Sequence, residues 1–462
     1  MQPHLFLILF LLRTSTSWEW NIPPVSGDSP SARAGHTMSA LSKEDKSVLC
    51  GGQNKRGMDI ADIAGCYVLS PLENWNFKQV IGETDTAPRS DHTALVYQSN
   101  MTEEEVLILY GGISNQTMKM MRSLGKYNDF DDNGCEVFST TSWSKKELAD
   151  CDVSNAPASR YAHSATLVGD LWVIFGGYHT DGSGLDNVIQ GLDLINFPQL
   201  QWRKGPSSQI VPFPPPRAYH AAATFKNTSG SYVIISGGQG LNEFYRDIWV
   251  FGPIKSGSRL VQGKWSSPKL DDFAPILFGH KVVLVGATLY SFGGSTPPAS
   301  GVYTLDMSVL DETNSISWVA LKSAGTSPLA MFRSSITSID ADGSADLELL
   351  IFGGATVESD GSDPVFSGTL SVLTSAEGGN FVSRLNIGAI LGGSTAAVIF
   401  IGIGLWFLLK NSNKSRSNRL KNDAAAFDSH TYQTSYLIGD DSETFDDSEK
   451  EEEELDETLK FY

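Results

Sequence analysis

Short apolar runs recur along the chain at nearly constant intervals, and each run ends in a pair of glycines. Five runs read SVLC, VLILY, LWVIF, YVIIS and LYSF, and the sixth reads LELLIF. The first glycines of successive pairs are 60, 65, 61, 56 and 60 residues apart. Apolar runs of this length bounded by glycine are typical of buried β-strands. The glycines are Gly51, Gly52, Gly111, Gly112, Gly176, Gly177, Gly237, Gly238, Gly293, Gly294, Gly353 and Gly354.

Other residues recur at similar distances from the glycine pairs. An Arg-x-x-His motif precedes each of the first four pairs, at Arg33/His36, Arg89/His92, Arg160/His163 and Arg217/His220. The fifth unit keeps His280 but has Leu277 for the arginine, and the sixth has Met331 and Ser334. A third strand-like run follows each pair, and in five units a tryptophan comes next: Trp75, Trp143, Trp202, Trp265 and Trp318. Units of about 60 residues with four strand-like segments predict the blades of a β-propeller.

A glycine pair with a downstream aromatic residue and tryptophan resembles the kelch repeat, and the resemblance covers about residues 18–376. It implies an all-β fold, a six-bladed kelch-type β-propeller with a four-stranded antiparallel sheet in each blade. The sixth unit lacks its tryptophan. The segment WEWNIPP at residues 18–24 has the place of a fourth strand with no blade before it. We therefore expect this N-terminal strand to complete blade six, because ring closure removes exposed strand edges.

The repeated residues are expected to be structural. Glycine permits a positive φ and a close backbone approach at a crowded strand end. Five of the six histidines in residues 18–386 occupy one repeat position, and only His179 lies outside it. We expect these histidines to form hydrogen bonds between strands or blades, since buried polar groups need partners. No residue is assigned a catalytic role.

The four cysteines suggest disulfides. Cys50 ends the second strand of unit one and Cys66 starts the third, so the two are adjacent in an antiparallel hairpin. Cys135 and Cys151 have a comparable relation in unit two. We predict the pairs Cys50–Cys66 and Cys135–Cys151, although four cysteines allow three connectivities.

Two long apolar segments predict a secreted, membrane-anchored topology. Residues 1–17 are expected to be a signal peptide with the apolar core LFLILFLL. Residues 387–409 are uncharged and long enough for one transmembrane helix. The basic residues that follow place residues 410–462 in the cytoplasm, with residues 377–386 as a linker. The sequence thus predicts a type I single-pass protein of the plasma membrane or a secretory or endosomal compartment, with its N-terminal domain outside the cytoplasm.

Charge and sequons refine this topology. The formal net charge of −19 argues against nucleic acid as a partner. Sequons at Asn100, Asn115 and Asn227 lie in the outer region and are predicted glycosylation sites. The acidic tail contains DDSEKEEEELDE and is expected to be disordered and to offer a surface for a cytoplasmic adaptor.

One loop resembles a calcium-binding loop. Ser338, Asp340, Asp342 and Asp346 provide oxygen side chains at positions one, three, five and nine, with Gly343 at position six. Calcium requires about six to eight oxygen ligands, so this spacing is suitable. A plain hairpin with an Asp-Gly turn is the alternative. Apart from this structural calcium, no cofactor is expected.

These features predict a binding protein rather than an enzyme. The propeller is expected to bind a protein or glycan ligand through its loops. A cargo or sorting receptor of the secretory pathway is one alternative. An enzyme similar to galactose oxidase or to sugar epimerases is another, but copper chemistry requires histidines outside the repeat and a free cysteine beside a tyrosine. The chain has too few such histidines, and its cysteines are expected to be paired.

Overall fold

The computed structural model describes most of the repeat region. The described residues are 17–42, 45–54, 65–82, 85–98, 104–114, 135–146, 151–152, 156–195, 200–206, 212–254, 263–270, 275–294, 301–308, 315–328, 331–340, 347–356 and 364–376. The predicted linker, transmembrane segment and tail lie outside these ranges, as does the predicted signal peptide up to residue 16. Within the described ranges, no helix has the length and apolar character needed to cross a membrane.

The described residues are almost entirely β-structure, with a short 3-10 turn at Pro71–Glu73. In chain order the strands are β1 (Ser17–Asn21), β2 (Ser26–Gly27), β3 (Thr37–Ala40), β4 (Ser47–Cys50), β5 (Cys66–Ser70), β6 (Asn76–Ile81), β7 (Thr93–Gln98), β8 (Glu105–Tyr110), β9 (Cys135–Ser139), β10 (Cys151–Asp152), β11 (Arg160–Tyr161), β12 (Ser164–Val168), β13 (Leu171–Phe175), β14 (Tyr178–His179), β15 (Ile189–Asp193), β16 (Leu200–Lys204), β17 (Ala221–Asn227), β18 (Gly230–Ser236), β19 (Ile248–Ile254), β20 (Lys264–Ser266), β21 (Lys269–Leu270), β22 (Lys281–Val285), β23 (Thr288–Phe292), β24 (Val302–Asp306), β25 (Ser315–Ile316), β26 (Val319–Ala320), β27 (Ser323–Ala324), β28 (Ser335–Asp340), β29 (Leu347–Phe352), β30 (Ala355–Thr356), β31 (Val365–Phe366) and β32 (Leu370–Ala376).

The strands form the six blades of a β-propeller. Blade one contains β3–β6, blade three contains β12, β13, β15 and β16, blade four contains β17–β20, and blade five contains β22, β23, β24 and β26. Blade two contains β7–β9, and a bridge between Phe138 and Lys145 takes the place of a longer fourth strand. Blade six contains β28, β29, β32 and β1. The central strands of every blade pair antiparallel to one another.

The N-terminal strand completes the sixth blade. β1 pairs antiparallel with β32, from Ser17 opposite Ala376 to Asn21 opposite Val372. Blade six is therefore built from both ends of the propeller sequence, in the arrangement that WEWNIPP predicts. The Trp18 ring lies 5.5 Å from that of Tyr290 in blade five, which joins the two blades at this position.

Short parallel strands connect neighbouring blades at the rim. After leaving the outer strand of one blade, the chain pairs briefly with the outer part of the next. This arrangement occurs four times in the described residues: β2 with β6, β10 with β16, β21 with β25, and β27 with β1. Each pairing satisfies backbone groups that an outer strand would otherwise expose.

The hydrophobic core is divided among the seams between blades. The described residues form six clusters of buried side chains, and each cluster combines residues of two adjacent blades. In one, Trp172 and Trp202 of blade three pack against Tyr110 of blade two, with ring centroids 6.2 and 5.3 Å apart. Because each sheet is covered on both faces, its inner strands are apolar along their whole length. This burial accounts for the continuous apolar runs in the sequence.

Candidate functional site

A closed ring of backbone hydrogen bonds surrounds the propeller axis. It involves the third residue of each Arg-x-x-His motif or its equivalent, which we call the axial ring: Gly35, Asp91, Ala162, Tyr219, Gly279 and Arg333. Each of these residues has a φ between 54° and 68°. Each donates its N–H to the carbonyl oxygen of the equivalent residue in the preceding blade, over 2.6–2.9 Å. Gly35 donates to Arg333, so the ring joins blade one to blade six.

The glycine pairs form a second ring around the first. The N–H of the second glycine donates to the carbonyl oxygen at the arginine position of the next blade, as in Gly52 to Arg89 at 2.9 Å. Gly354 donates to Arg33 at 2.8 Å, which closes this ring as well. The first glycines have φ between 56° and 72°. A Cβ atom on any of them would lie 2.0–2.7 Å from that same carbonyl oxygen, so no larger residue fits without displacing the neighbouring blade.

The motif histidines connect adjacent blades. The Nε2 atom of each one forms a hydrogen bond of 2.7–3.1 Å with a hydroxyl of the preceding blade; the pairs are His36–Ser335, His92–Thr37, His163–Thr93, His220–Ser164 and His280–Ser236. Burial lowers the pKa of all five imidazoles well below the usual value, to about 3 for His280. The rings are therefore neutral at pH 7 and serve as links between blades rather than as proton carriers.

The motif arginines connect loops within a blade. In each of the four units, the arginine Nη1 donates to the carbonyl oxygen of the first glycine in its own blade, as Arg217 does to Gly237 at 2.8 Å. Arg217 also pairs with Asp247 at 2.6 Å, and Arg160 pairs with Asp186 at 2.9 Å. These charges are used inside the fold, so the motif leaves no free cationic group for a ligand.

The axial ring departs from the repeat at one ion pair. Arg333 of blade six donates from Nε to Oδ1 of Asp91 at 2.8 Å, and its Nη2 reaches the other carboxylate oxygen. Asp91 belongs to blade two, so the pair crosses blade one. Gly35 makes this crossing feasible, because a Cβ there would lie 2.7 Å from the Arg333 guanidinium and 2.8 Å from the carboxylate.

Aromatic side chains form a contiguous patch on the face that carries the motif loops and glycine pairs. We call it the aromatic arc: Tyr161, Tyr178, Tyr219, Phe244, Phe278 and Phe332. Neighbouring ring centroids are 5.0–6.5 Å apart. Phe278 is buried, and the other five are half-buried. The Arg333 guanidinium lies 5.8 Å from the centre of the Tyr219 ring, so the arc adjoins the ion pair at the axis.

A polar cavity lies beneath the axial ring. The space inside it that the centre of a water-sized molecule can occupy is about 20 Å³. Five residues of the axial ring line it: Asp91, Ala162, Tyr219, Gly279 and Arg333. The other lining residues are His92, His163, His220, His280 and Lys281. The cavity is thus bounded by repeat histidines and by a lysine that has no counterpart in the other blades.

The predicted disulfides are described in part. Cys50 and Cys66 are opposite each other at the end of the β4–β5 hairpin and form a disulfide bond. This bond closes the base of the loop that follows the first glycine pair. The side chains of Cys135 and Cys151 lie outside the described residues, so their pairing stays a prediction.

The other predicted sites are away from the axis. Asn227 lies in the turn between β17 and β18, where its Oδ1 accepts hydrogen bonds from two backbone N–H groups of the turn. This turn is at the opposite end of the sheet from the glycine pair of blade four. Asn100 and Asn115 lie outside the described residues.

The calcium loop stays a prediction. Ser338 lies within β28 and Asp340 ends it, whereas Asp342 and Asp346 lie outside the described residues. Across the described ranges, no group of three or more His, Cys, Asp or Glu side chains is arranged to hold a metal ion.

Sequence reasoning did not identify the aromatic arc. Three of its members, Tyr161, Phe278 and Phe332, directly follow the motif arginine or its replacement, and Tyr219 is one position later. The repeat defines these positions only as variable. An alignment of the variable residues of the six motifs would have shown one of these aromatic side chains in each of units three to six.

Comparison with known proteins agrees with the fold. The KLHDC2/KLHL20/DRC7 Kelch-repeats domain matches residues 100–276. Together with the six blades, this match over part of the chain supports a kelch-repeat propeller, as the repeat predicts. Propellers of this family generally mediate protein interactions.

Among curated proteins, the chain is similar to Acyl-CoA-binding domain-containing protein 5 of Arabidopsis thaliana, with 29% identity over 301 residues, 63% of this chain and 41% of the relative. Acyl-CoA-binding domain-containing protein 4 of the same plant is 27% identical over 347 residues, 73% of this chain and 45% of the relative. Host cell factor 1 of Homo sapiens is 28% identical over 178 residues, 36% of this chain and 8% of the relative. The chain therefore spans less than half the length of each of these relatives.

The buried histidines predict a loss of stability in mild acid. Their folded-state pKa values lie below the unfolded value of about 6.5, so the unfolded chain binds more protons as pH falls below that value. The unfolding free energy should be unaffected by the histidines above about pH 6.5. Below it, stability should fall by about 1.4 kcal/mol per pH unit for each histidine that is protonated only on unfolding.

Urea unfolding between pH 7.5 and 5 measures this slope. His280→Gln removes one such histidine and should reduce the slope of unfolding free energy against pH by about 1.4 kcal/mol per pH unit. His179→Gln removes the histidine outside the repeat position and is the matched control. A wild-type stability that is flat across this range would contradict the neutral, inter-blade role of the five imidazoles.

Proposed function

We propose that this chain is a type I single-pass membrane protein whose kelch propeller binds a protein ligand with the face that carries the aromatic arc. The single observation that carries the binding part is the contiguity of six aromatic rings beside the axial ion pair. Kelch propellers generally mediate protein interactions, which supports the same role here.

The arc has the composition of a binding hot spot. Tyrosine and arginine are enriched among residues that dominate binding energy, and such residues cluster near the centre of an interface. Tyr219 and Arg333 occupy this central position on the propeller axis. The axial ring holds the backbones of these two residues in place. Ligand binding would therefore cost less conformational entropy than at residues of a mobile loop.

The remaining motif residues support binding over catalysis. The five histidines are bonded between blades and neutral, and Arg160 and Arg217 are bonded within blades. A general acid–base site requires a titratable group that can reach a substrate with a pKa near the working pH. Burial keeps the pKa of the repeat histidines well below that range, which argues against the enzyme alternative.

The membrane part of the proposal is supported by the sequence. Residues 1–17 have the features of a signal peptide, and residues 387–409 have the length and composition of one transmembrane helix. The Asn227 sequon is on the end of blade four opposite the glycine pairs, so a glycan there would leave the aromatic face free. In this topology the acidic tail is available to a cytoplasmic adaptor, as the sorting-receptor alternative also requires.

Membrane topology is tested with the full chain carrying a C-terminal tag in cells that secrete proteins. We expect the chain to stay in the membrane fraction after an alkaline wash, with its tag digested by protease added to sealed vesicles and its propeller protected and glycosylated. Deletion of residues 387–409 is the matched control and should release the propeller into the medium. An unglycosylated chain in the soluble fraction would contradict the proposal.

Ligand binding is tested by probing the purified chain against a cell-surface protein display and a glycan array, with and without calcium. We expect a saturable protein hit that weakens at least about tenfold in the double variant Tyr219→Ala, Phe332→Ala. The ring tolerates alanine, because Ala162 occupies the same position as Tyr219 with the same φ of 54°.

Leu72→Ala is the control for that experiment. Leu72 is 61% exposed and lies in the turn between β5 and β6, at the opposite end of blade one from the glycine pair. If binding survives in the double variant but is lost with Leu72→Ala, the binding site lies on the face opposite the glycine pairs. A hit confined to the glycan array and sensitive to the double variant would replace the protein ligand with a glycan.

A further inference from the structure

Lys281 departs from the repeat at the position that follows the motif histidine. Four other blades have a hydroxyl side chain there: Thr37, Thr93, Ser164 and Ser335. These hydroxyls bond the histidine of the following blade. Blade six has Ser334 where that histidine would be, so a hydroxyl in blade five would have no imidazole to bond. Lys281 and Ser334 thus face the same seam, between blades five and six. Where the other seams have a hydroxyl and an imidazole, this seam has an ammonium group and a serine hydroxyl.

The missing imidazole leaves space at this seam. In blade one, a Cβ on Gly51 would lie 2.7 Å from the Cε1 atom of His92. In blade five, a Cβ on Gly293 would lie 3.6 Å from the nearest side-chain atom, the Oγ of Ser334. That hydroxyl is buried and has no hydrogen-bond partner among the described residues.

The Lys281 ammonium lies inside the ring of histidines. It lines the axial cavity together with His92, His163 and His220. Its positive charge lowers the pKa of all five motif histidines, after the larger effect of burial. The residues that line the cavity come from blades two to six, so Lys281 lies close to the axis.

The charges that line the cavity do not cancel. Arg333 is matched by both carboxylate oxygens of Asp91, and the histidines are neutral. Among the described residues, no carboxylate is within 4.0 Å of the Lys281 amine, and no hydrogen bond to that amine is present. Burial lowers the pKa of Lys281, while Asp91 acts in the opposite direction. Lys281 is half-buried at the cavity. A partly desolvated ammonium without a counter-charge is disfavoured relative to one in open solvent, and a bound anion would offset that cost.

We propose that the axial cavity binds a small inorganic monoanion of the size of chloride, with the Lys281 ammonium as its main partner. The cavity carries one uncompensated positive charge, which a monoanion neutralises. Tyr219 of the aromatic arc and Arg333 also line the cavity, so the site adjoins the face of the arc. This site is independent of the proposed ligand-binding function, and its test requires no protein partner.

The solution test compares chloride with gluconate, a larger anion, for the purified full chain at constant ionic strength and pH 7. Replacing sodium gluconate by sodium chloride should raise the Tm of the wild-type protein by about 2 °C or more, with a saturable dependence on chloride. Lys281→Thr restores the residue type of Thr37 and Thr93 and should abolish this rise. Lys226→Thr removes an exposed lysine of blade four and should retain it.

Bromide in place of chloride gives a direct and independent readout. Crystals grown in sodium bromide should show an anomalous scattering peak beside the Lys281 amine in the axial cavity. This measurement uses the wild-type chain, so it decides the proposal even if Lys281→Thr does not fold. No bromide at the axis, or an equal chloride response in wild type and Lys281→Thr, would overturn the proposal.

Discussion

The six N–H to carbonyl hydrogen bonds of the axial ring are the constraint on which the rest of this propeller depends. Each blade contributes one donor and one acceptor, and the bond from Gly35 to Arg333 closes the circle. The N–H of each ring residue bonds to the preceding blade and its C=O to the following blade. Every ring residue adopts a φ between 54° and 68° in this arrangement. The ring thus requires an unusual backbone conformation at one position in each of six repeats, and only two of the six residues are glycine.

The other repeated residues follow from this close approach of the blades. The glycine pairs allow a second circle of hydrogen bonds at a distance that excludes a Cβ. The histidines fill the space between neighbouring pairs and bond a hydroxyl across five of the six seams, while the arginines of the first four units hold the glycine loops of their own blade. Since these residues are committed to structure, specificity must come from positions that the repeat leaves variable. The aromatic arc, the Asp91–Arg333 pair and Lys281 all occupy such positions.

Much of this architecture was readable from the sequence because it repeats. The runs CYVLS, CEVFS and VYTLD coincide with β5, β9 and β24. The missing tryptophan of the last unit pointed to the first strand as its replacement, and the inter-blade role of the histidines followed from their one-per-blade placement. Each inference required only a comparison between equivalent positions.

The features that escaped prediction depend on contacts between non-equivalent positions. The parallel rim strands are two residues long, too short for a periodic signal. The sixth motif looked degenerate because Met331 and Ser334 replace its arginine and histidine, yet Arg333 between them reaches Asp91 two blades away. The hydroxyl partner of His280 is Ser236 on the adjacent strand, because blade four has Ala221 at the usual position. Such pairings arise only once the blades are arranged around the axis.

The central claim is that contacts between blades, rather than backbone conformation alone, dictate the glycine pairs. Gly176→Ala and Gly169→Ala test it directly, because the two glycines have φ of 66° and 61° but different surroundings. A Cβ at Gly176 would lie 2.7 Å from the Arg217 carbonyl oxygen of the next blade, whereas a Cβ at Gly169 would meet nothing within 4 Å. Both variants incur the left-handed backbone cost of about 1–2 kcal/mol.

Urea unfolding at pH 7.5 should show that Gly176→Ala loses roughly 1–3 kcal/mol more than Gly169→Ala, the usual cost of overpacking. Equal losses in the two variants would mean that the blades can separate at this position without penalty, which would contradict the account.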